Sequence, residues 1–300
     1  MKEPRGQSKV IRFEDCLNGK TKPISFDLNK KKRVIAITSG KGGVGKTNIV
    51  ANLGFTLSKI GKKVLILDAD LGLGNLDVLL GLTPQHNLSH VIAGEKRLGD
   101  ILETGPGGIQ ILPASSGIQN LTALSQEQKD NLLDQLDSLV ASVDILLIDT
   151  AAGISSNVLY FTASAHEILV AVTPEPTSIT DAYALMKVLS LNYSESAFRL
   201  VVNQAATVQE AQQVVNHLRL VANRFLNISI DYLGSVLYDK TVAHSVRQQR
   251  LVSEFYPESI AGKCFSNLAR NLSKPLSESI LANKEKSFAK SFLSFSTDTP

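Results

Sequence analysis

Between residues 40 and 47 the chain reads Gly40-Lys41-Gly42-Gly43-Val44-Gly45-Lys46-Thr47. The pattern G-x-x-x-x-G-K-[ST] is chemistry for a nucleoside triphosphate. Glycines let backbone N–H groups curl around phosphate oxygens without a clashing Cβ. Lys46 can reach the β- and γ-phosphates, and Thr47 can offer its hydroxyl to Mg²⁺. A helix starting near Lys46 aims its positive dipole end at the same anion, and Asn48 in its first turn is counted with the cradle. Lys41 is a second cation in the loop, and spacing alone says no more of it.

Three carboxylates complete the chemistry: Asp68, Asp70 and Asp149 each follow an apolar run. Ligands collect at the C-terminal ends of the strands in open α/β sheets. Mg²⁺ prefers one or two carboxylates, directly or through water, so Asp149 and Asp68 join Thr47 as its candidate ligands. Single aspartates at strand ends also serve turns and N-caps, but three around one loop fit metal and water handling. No glutamate follows Asp149, so the strong base of fast relatives is missing and slow hydrolysis tuned by a partner is expected. Asn203 carries a donor and an acceptor, which suit an adenine edge or, equally, an Asx turn.

These residues need strands and helices to position them. Val34–Thr38, Val64–Leu67, Ile109–Leu112, Asp144–Ile148, Ile168–Val172, Phe198–Val202 and Tyr232–Leu237 are short apolar runs, as strands buried on both faces should be. Helical periodicity falls at about Lys46–Lys59, Gln126–Val140, Ile179–Leu191, Val208–Phe225 and Ser259–Leu272. The alternation predicts an α/β fold: one P-loop NTPase domain, its mainly parallel central sheet flanked by helices on both faces. The domain is expected over 34–275. A polar arm, 1–33, precedes it and ends in the basic run Asn29–Arg33; a Ser- and Lys-rich tail, 276–300, follows.

Composition narrows the classes. Hydrophobic residues make up 43% of the 300 and aromatics 6%, without Trp, so the core is aliphatic. No apolar run approaches the roughly 18–20 residues of a membrane span. The first residues lack the apolar core of a secretory signal, making the cytoplasm the expected compartment. Cys16 and Cys264 are far apart and make a disulfide framework, a zinc site or an iron–sulfur site a poor fit. A formal net charge of +3 gives no global drive toward nucleic acid, which argues against direct DNA binding.

The loop, with Lys41 ahead of Lys46, resembles the deviant Walker A family, K-G-G-x-G-K-[ST], whose members include MinD and ParA. The resemblance implies an ATPase that binds ATP and Mg²⁺ and forms an ATP-bridged homodimer, in which Lys41 reaches the partner's phosphates. It implies that Asp70 is the switch I aspartate positioning the attacking water. Asp149-Thr150-Ala151-Ala152-Gly153 resembles switch II, with the Gly153 N–H near the γ-phosphate. Asn203 matches the family's adenine-contacting Asn. Tyr238-Asp239 resembles the Pro-Tyr-Asp segment lining the adenine, although Leu237 stands where the family often has Pro.

Within the family, the run from Asp68 to Pro84, Pro106–Ile109, Leu112–Gly117 and Glu175–Leu185 are similar to the flagellar-number ATPases, the FleN/FlhG branch. That branch implies control of flagellar number, placement and gene expression, with a FleQ-like transcription activator as partner. An FlhF-like GTPase is a second implied partner, though the arm lacks the Asp-Gln-Ala-rich segment through which some members act on it. Ile280, Leu281, Phe288, Phe292 and Phe295 share one side of a helical projection, with Lys286 and Lys290 opposite. An amphipathic helix there would suit reversible contact with an anionic membrane surface, as in relatives; a docked or frayed tail is the alternative. Other readings are a MinD-type septum-site ATPase, a ParA-type partition ATPase and a dethiobiotin-synthetase-like ligase, the last with little use for Lys41.

Overall fold

The computed structural model describes residues 32–70, 74–113 and 125–274. The expected arm, up to residue 31, and the expected tail helix lie outside the described residues. Strand β1 (Arg33–Ser39) leads through the glycine loop into α1 (Lys46–Lys59) and back to β2 (Val64–Ala69). Two short helices, α2 (Leu76–Leu80) and α3 (Leu88–Ile92), precede a hairpin of β3 (Glu103–Thr104) and β4 (Gln110–Leu112). Then come α4 (Gln126–Ser142), β5 (Ile145–Ala152), α5 (Ser156–Ser164), β6 (Glu167–Val172), α6 (Pro176–Tyr193), β7 (Ala197–Ala205) and α7 (Val208–Phe225). β8 (Ser229–Leu237), α8 (Lys240–Arg247), α9 (Val252–Phe255) and α10 (Ile260–Ser273) complete the chain described.

The strands form one sheet in the order β3-β4-β2-β5-β1-β6-β7-β8. All neighbours are parallel except β3 and β4. β1 is therefore central, with Ile37 opposite Asp149 of β5 and Thr38 opposite Val170 of β6. Strand polarity gathers the ends of β1, β2 and β5 at one edge, where the loop and the three aspartates meet.

Successive residues of a buried strand serve opposite faces of the sheet. Ile35 and Ile37 pack with Ile49 and Leu53 of α1 and with Phe265 and Leu268 of α10. Val34 and Ala36 face the other way, toward Leu132 of α4 and Phe161 of α5. Beyond β1 on that face, Val170 and Leu200 pack on Leu185 of α6 and Val215 of α7. α1 is held hard: every residue from Ile49 to Leu57 is buried. Full burial of an aliphatic side chain contributes roughly 1.5–3 kcal/mol, so the helix that carries Lys46 and Thr47 is anchored by Ile49, Leu53 and Leu57.

Of the expected arm's last residues, Lys32 is exposed, its Nζ donating to the Val143 carbonyl at 2.7 Å, and Arg33 is built into the sheet. Arg33 opens β1 and its Nε and Nη2 donate to the two oxygens of Glu167 at 2.6 and 2.7 Å. The Glu167 side chain is fully buried, and Arg199 also faces it at 3.5 Å while bonding Asp231 at 3.0 Å. Arg33 Nη1 donates to the Leu272 carbonyl, joining the first strand to the last helix. A buried carboxylate is tolerated only with such partners, which fixes the basic residues at the strand starts.

Candidate nucleotide site

The loop is shaped by its glycines at two points. Gly45 has φ +87°, and a Cβ there would lie 2.5 Å from Asn203 Nδ2. Gly40 passes so close to the Asp181 carbonyl that a Cβ would overlap it. No side chain caps the first turn of α1, so its N–H groups are left for an anion. Asn203 Nδ2 donates to the Val44 carbonyl at 2.7 Å, and Ser39 Oγ to the Lys41 carbonyl at 2.8 Å. Gly42 and Gly43 complete the curve, with φ +78° at Gly43.

Beneath Lys46 and Thr47 lie two buried carboxylates. Asp68 and Asp149 are paired in register on adjacent strands. Burial, then the Asp149 charge, push the Asp68 carboxyl up to about 7. Asp70 N–H and Leu76 N–H donate to its two oxygens at 3.1 and 3.5 Å. Burial pushes Asp149 up to about 6, against the opposing pull of the Lys46 ammonium and the Thr47 hydroxyl. Asp149 Oδ1 is buried without a hydrogen-bond partner. An orphaned acceptor between two reluctant carboxylates fits a divalent cation, and Thr47, Asp68 and Asp149 are the residues that would hold Mg²⁺. Among the described residues no set of three or more His, Cys, Asp and Glu side chains could hold a metal. Mg²⁺ would therefore share its coordination with phosphate oxygens, its usual habit.

A cavity of about 310 Å³ opens beside the loop. Gly45, Asn48, Asn203, Tyr238 and Asp239 line it, with Val236, Leu237, Val242 and Phe265 as apolar walls suited to a flat base. Leu237 belongs to the segment expected at the adenine; Val236, Val242 and Phe265, from β8, α8 and α10, were not foreseen, and no local motif marks them. The Asp239 side chain has another task. It caps α8 through Thr241 N–H at 2.9 Å and holds Ala261 N–H at 3.0 Å. Burial opposes its charge, but those bonds and the Thr241 hydroxyl hold its carboxyl below the ordinary value.

Two of the expected phosphate-binding residues have partners within the chain. Gly153 was expected to offer its N–H to the γ-phosphate; in this structure it donates to the Ser39 carbonyl at 2.8 Å, tying β5 to the root of the loop. Lys41 Nζ is 2.5 Å from Glu175 Oε2 and 3.0 Å from Thr177 Oγ1, at the start of α6. Asp70 stands half-buried at the end of β2, its amide turned to Asp68. Loop, aspartates, Asn203 and the Tyr238-Asp239 segment are thus brought to one edge of the sheet.

A glycine loop after the central strand of a mostly parallel sheet, backed by acidic strand ends, defines a P-loop nucleotide-binding protein. Residues 32–202 match the family described as "AAA domain". The chain is 45% identical over 240 residues to the antiactivator FleN of Pseudomonas aeruginosa, covering 80% of this chain and 86% of that protein. It is 34% identical to the flagellum site-determining protein YlxH of Helicobacter pylori, covering 96% and 99%. The septum site-determining protein MinD of Pyrococcus horikoshii, solved with Mg-ADP, superimposes with a TM-score of 0.64 at 26% identity, covering 84% and 98%. The chain belongs to the MinD/ParA family of P-loop ATPases, on its FleN/FlhG-like side.

Proposed function

We propose that this protein is a slow ATPase that works as an ATP-dependent dimerising switch controlling flagellar number, placement and gene expression. The observation that carries the switch is the division of labour between the two loop lysines. Lys46 stands over Asp149 at the head of α1, while Lys41 is held away by Glu175 and Thr177. One cation serves the chain's own phosphates, and the other is left for a second copy. The flagellar role is supported by the name of the flagellum site-determining relative, and the control of gene expression by that of the antiactivator; both matches span most of the chain.

In this reading Lys46, the loop N–H groups and Asn48 hold the triphosphate. Thr47, Asp68 and Asp149 would hold Mg²⁺, which supplies charge neutralisation on the phosphate oxygens. Asp70 orients the attacking water. The residues after Asp149 are Thr150 and Ala151, so no carboxylate adds a stronger base, and turnover is slow until a partner raises it. The partners are a FleQ-like transcription activator and an FlhF-like GTPase. Direct binding to DNA is not part of the proposal. No helix among the described residues is long and apolar enough to cross a membrane. We place the protein in the cytoplasm, with reversible attachment to the inner face of the membrane through residues 280–295.

Light scattering in Mg-ATP and Mg-ADP tests the switch. Asp70→Ala should be dimeric in ATP and Lys41→Ala monomeric; the same assembly in both nucleotides for wild type and Lys41→Ala would defeat it. Flagella counted per cell test the role, in a deletion strain complemented with wild type or Lys46→Ala. Normal counts in the deletion strain would defeat the flagellar reading.

A further inference from the structure

Helix α8 leaves an unusual surface. Lys240, His244 and Arg247 fall at i, i+4 and i+7 and make one exposed stripe. Among the described residues neither Lys240 nor Arg247 has an ion-pair partner. Arg250, just beyond, is engaged: it stands 3.7 Å from Glu254 and stacks on Phe255 at 4.6 Å. Beside the stripe lie two exposed aliphatic side chains, Val246 at 40% and Val78 of α2 at 57%. They are neighbours through Gln249, whose N–H bonds the Val246 carbonyl and whose Nε2 bonds the Val78 carbonyl at 2.9 Å. Asp77 on α2 accepts from the Val78 N–H at 2.7 Å, and among the described residues it makes no ion pair with the stripe.

Each element of this surface is pinned to the nucleotide site. α2 is tied by Leu76 N–H to Asp68. α8 starts at Asp239, which lines the base cavity. α9 is tied through a buried relay: Ser253 N–H donates to Asn52 Oδ1 at 3.0 Å. Asn52 Nδ2 in turn donates to the carbonyl and side-chain oxygens of Asn48 at 2.9 and 2.8 Å. Asn48 lines the same cavity.

We propose that α8, the turn after it and Val78 form a docking surface for an acidic segment of a partner protein carrying an apolar side chain. The charge calls for carboxylates, and the two valines call for an apolar anchor beside them. A nucleic acid would want an unbroken basic track, and this stripe is bordered by aliphatic surface instead. The location stands on the surface alone; its response to nucleotide rests on the function proposed above.

The test selects random peptides about 16 residues long on the full chain with Mg-ATP, with Mg-ADP and without nucleotide. Selected peptides should be rich in Asp and Glu around a Leu or Phe. Their affinity, read by fluorescence anisotropy, should fall tenfold or more in a Lys240→Glu/Arg247→Glu variant and in Val246→Asp, and weaken as salt rises. Lys240→Gln/Arg247→Gln should fall less, which separates charge from misfolding, and circular dichroism checks each variant. A selection without binders, binders without acidic bias, or equal binding to the variants would overturn the proposal. Duplex DNA binding that is lost in the same variants would overturn it in favour of nucleic acid. ATP titration calorimetry on the same preparation separates the two readings: wild type that binds no ATP sinks the switch and leaves the peptide result standing.

Discussion

Asp68 and Asp149 face each other in register across β2 and β5, and both carboxyls titrate well above the ordinary range. Both values are raised above the unfolded 3.8, so the native state binds the extra protons. Stability from this pair is therefore present below about pH 4 and is lost as pH rises toward 7. Asp68→Asn removes the carboxylate whose ionisation is most resisted. The ligand-free variant should be more stable than wild type at pH 7.5, and the gap should close toward pH 4. Urea unfolding across that range reads it; a gap that widens at low pH would contradict the account. Mg-ATP affinity should drop in the same variant.

The contact between Lys41 and Glu175 holds the second lysine inside its own subunit. Glu175 is well exposed, and exposed pairs contribute little, up to about 1 kcal/mol. Glu175→Gln should therefore favour the ATP dimer only a few-fold. Dimer dissociation constants from analytical ultracentrifugation decide the sign; weaker assembly would show that Glu175 supports the dimer rather than retaining Lys41.

Gly45→Ala sets a side chain into a left-handed backbone position and against Asn203. Nucleotide binding by calorimetry should be lost, as it should in Lys46→Ala, which removes the cation over Asp149. Thermal unfolding distinguishes them: Gly45→Ala should also melt lower, through strain and the disturbed Asn203–Val44 bond.

Truncating Arg33 to Ala leaves the buried Glu167 with Arg199 alone. Breaking a buried pair costs about 3–5 kcal/mol, and chemical denaturation should show a loss of that order. Arg33→Ala/Glu167→Gln should recover part of it.

The β1–loop–α1 unit was legible because its determinants are local: an apolar run, glycines and a lysine in sequence. So was most of the sheet, where strands such as Ile145–Ala152 are continuously apolar until Asp149. The helices α2, α3, α5, α8 and α9 were not, since segments of four to nine residues are too short to show a period. Nor was β3, a strand of two residues that pairs with the expected strand β4. At the site, the aspartates were legible as strand ends. The hold of Glu175 on Lys41 and the place of Phe265 depend on which strands become neighbours, and no single segment encodes that.

Residues 280–295 carry the proposed membrane contact. Sedimentation with anionic liposomes should require ATP and be lost in a chain ending at Ser279. Two copies in a dimer bind better through effective concentration, and Lys284, Lys286 and Lys290 make the binding salt-sensitive. Equal sedimentation of both lengths in ATP would remove the tail from the proposal.

Phe265 closes the cavity opposite Gly45, although it lies in the last helix described and the loop lies near the first strand. A chain still emerging from the ribosome has the phosphate loop early and this wall late. The nascent protein thus lacks part of the cavity even after β1 and α1 have formed. The complete cavity wall therefore exists only once the chain has been made past Phe265. Products that stop short of Phe265 are left without that wall.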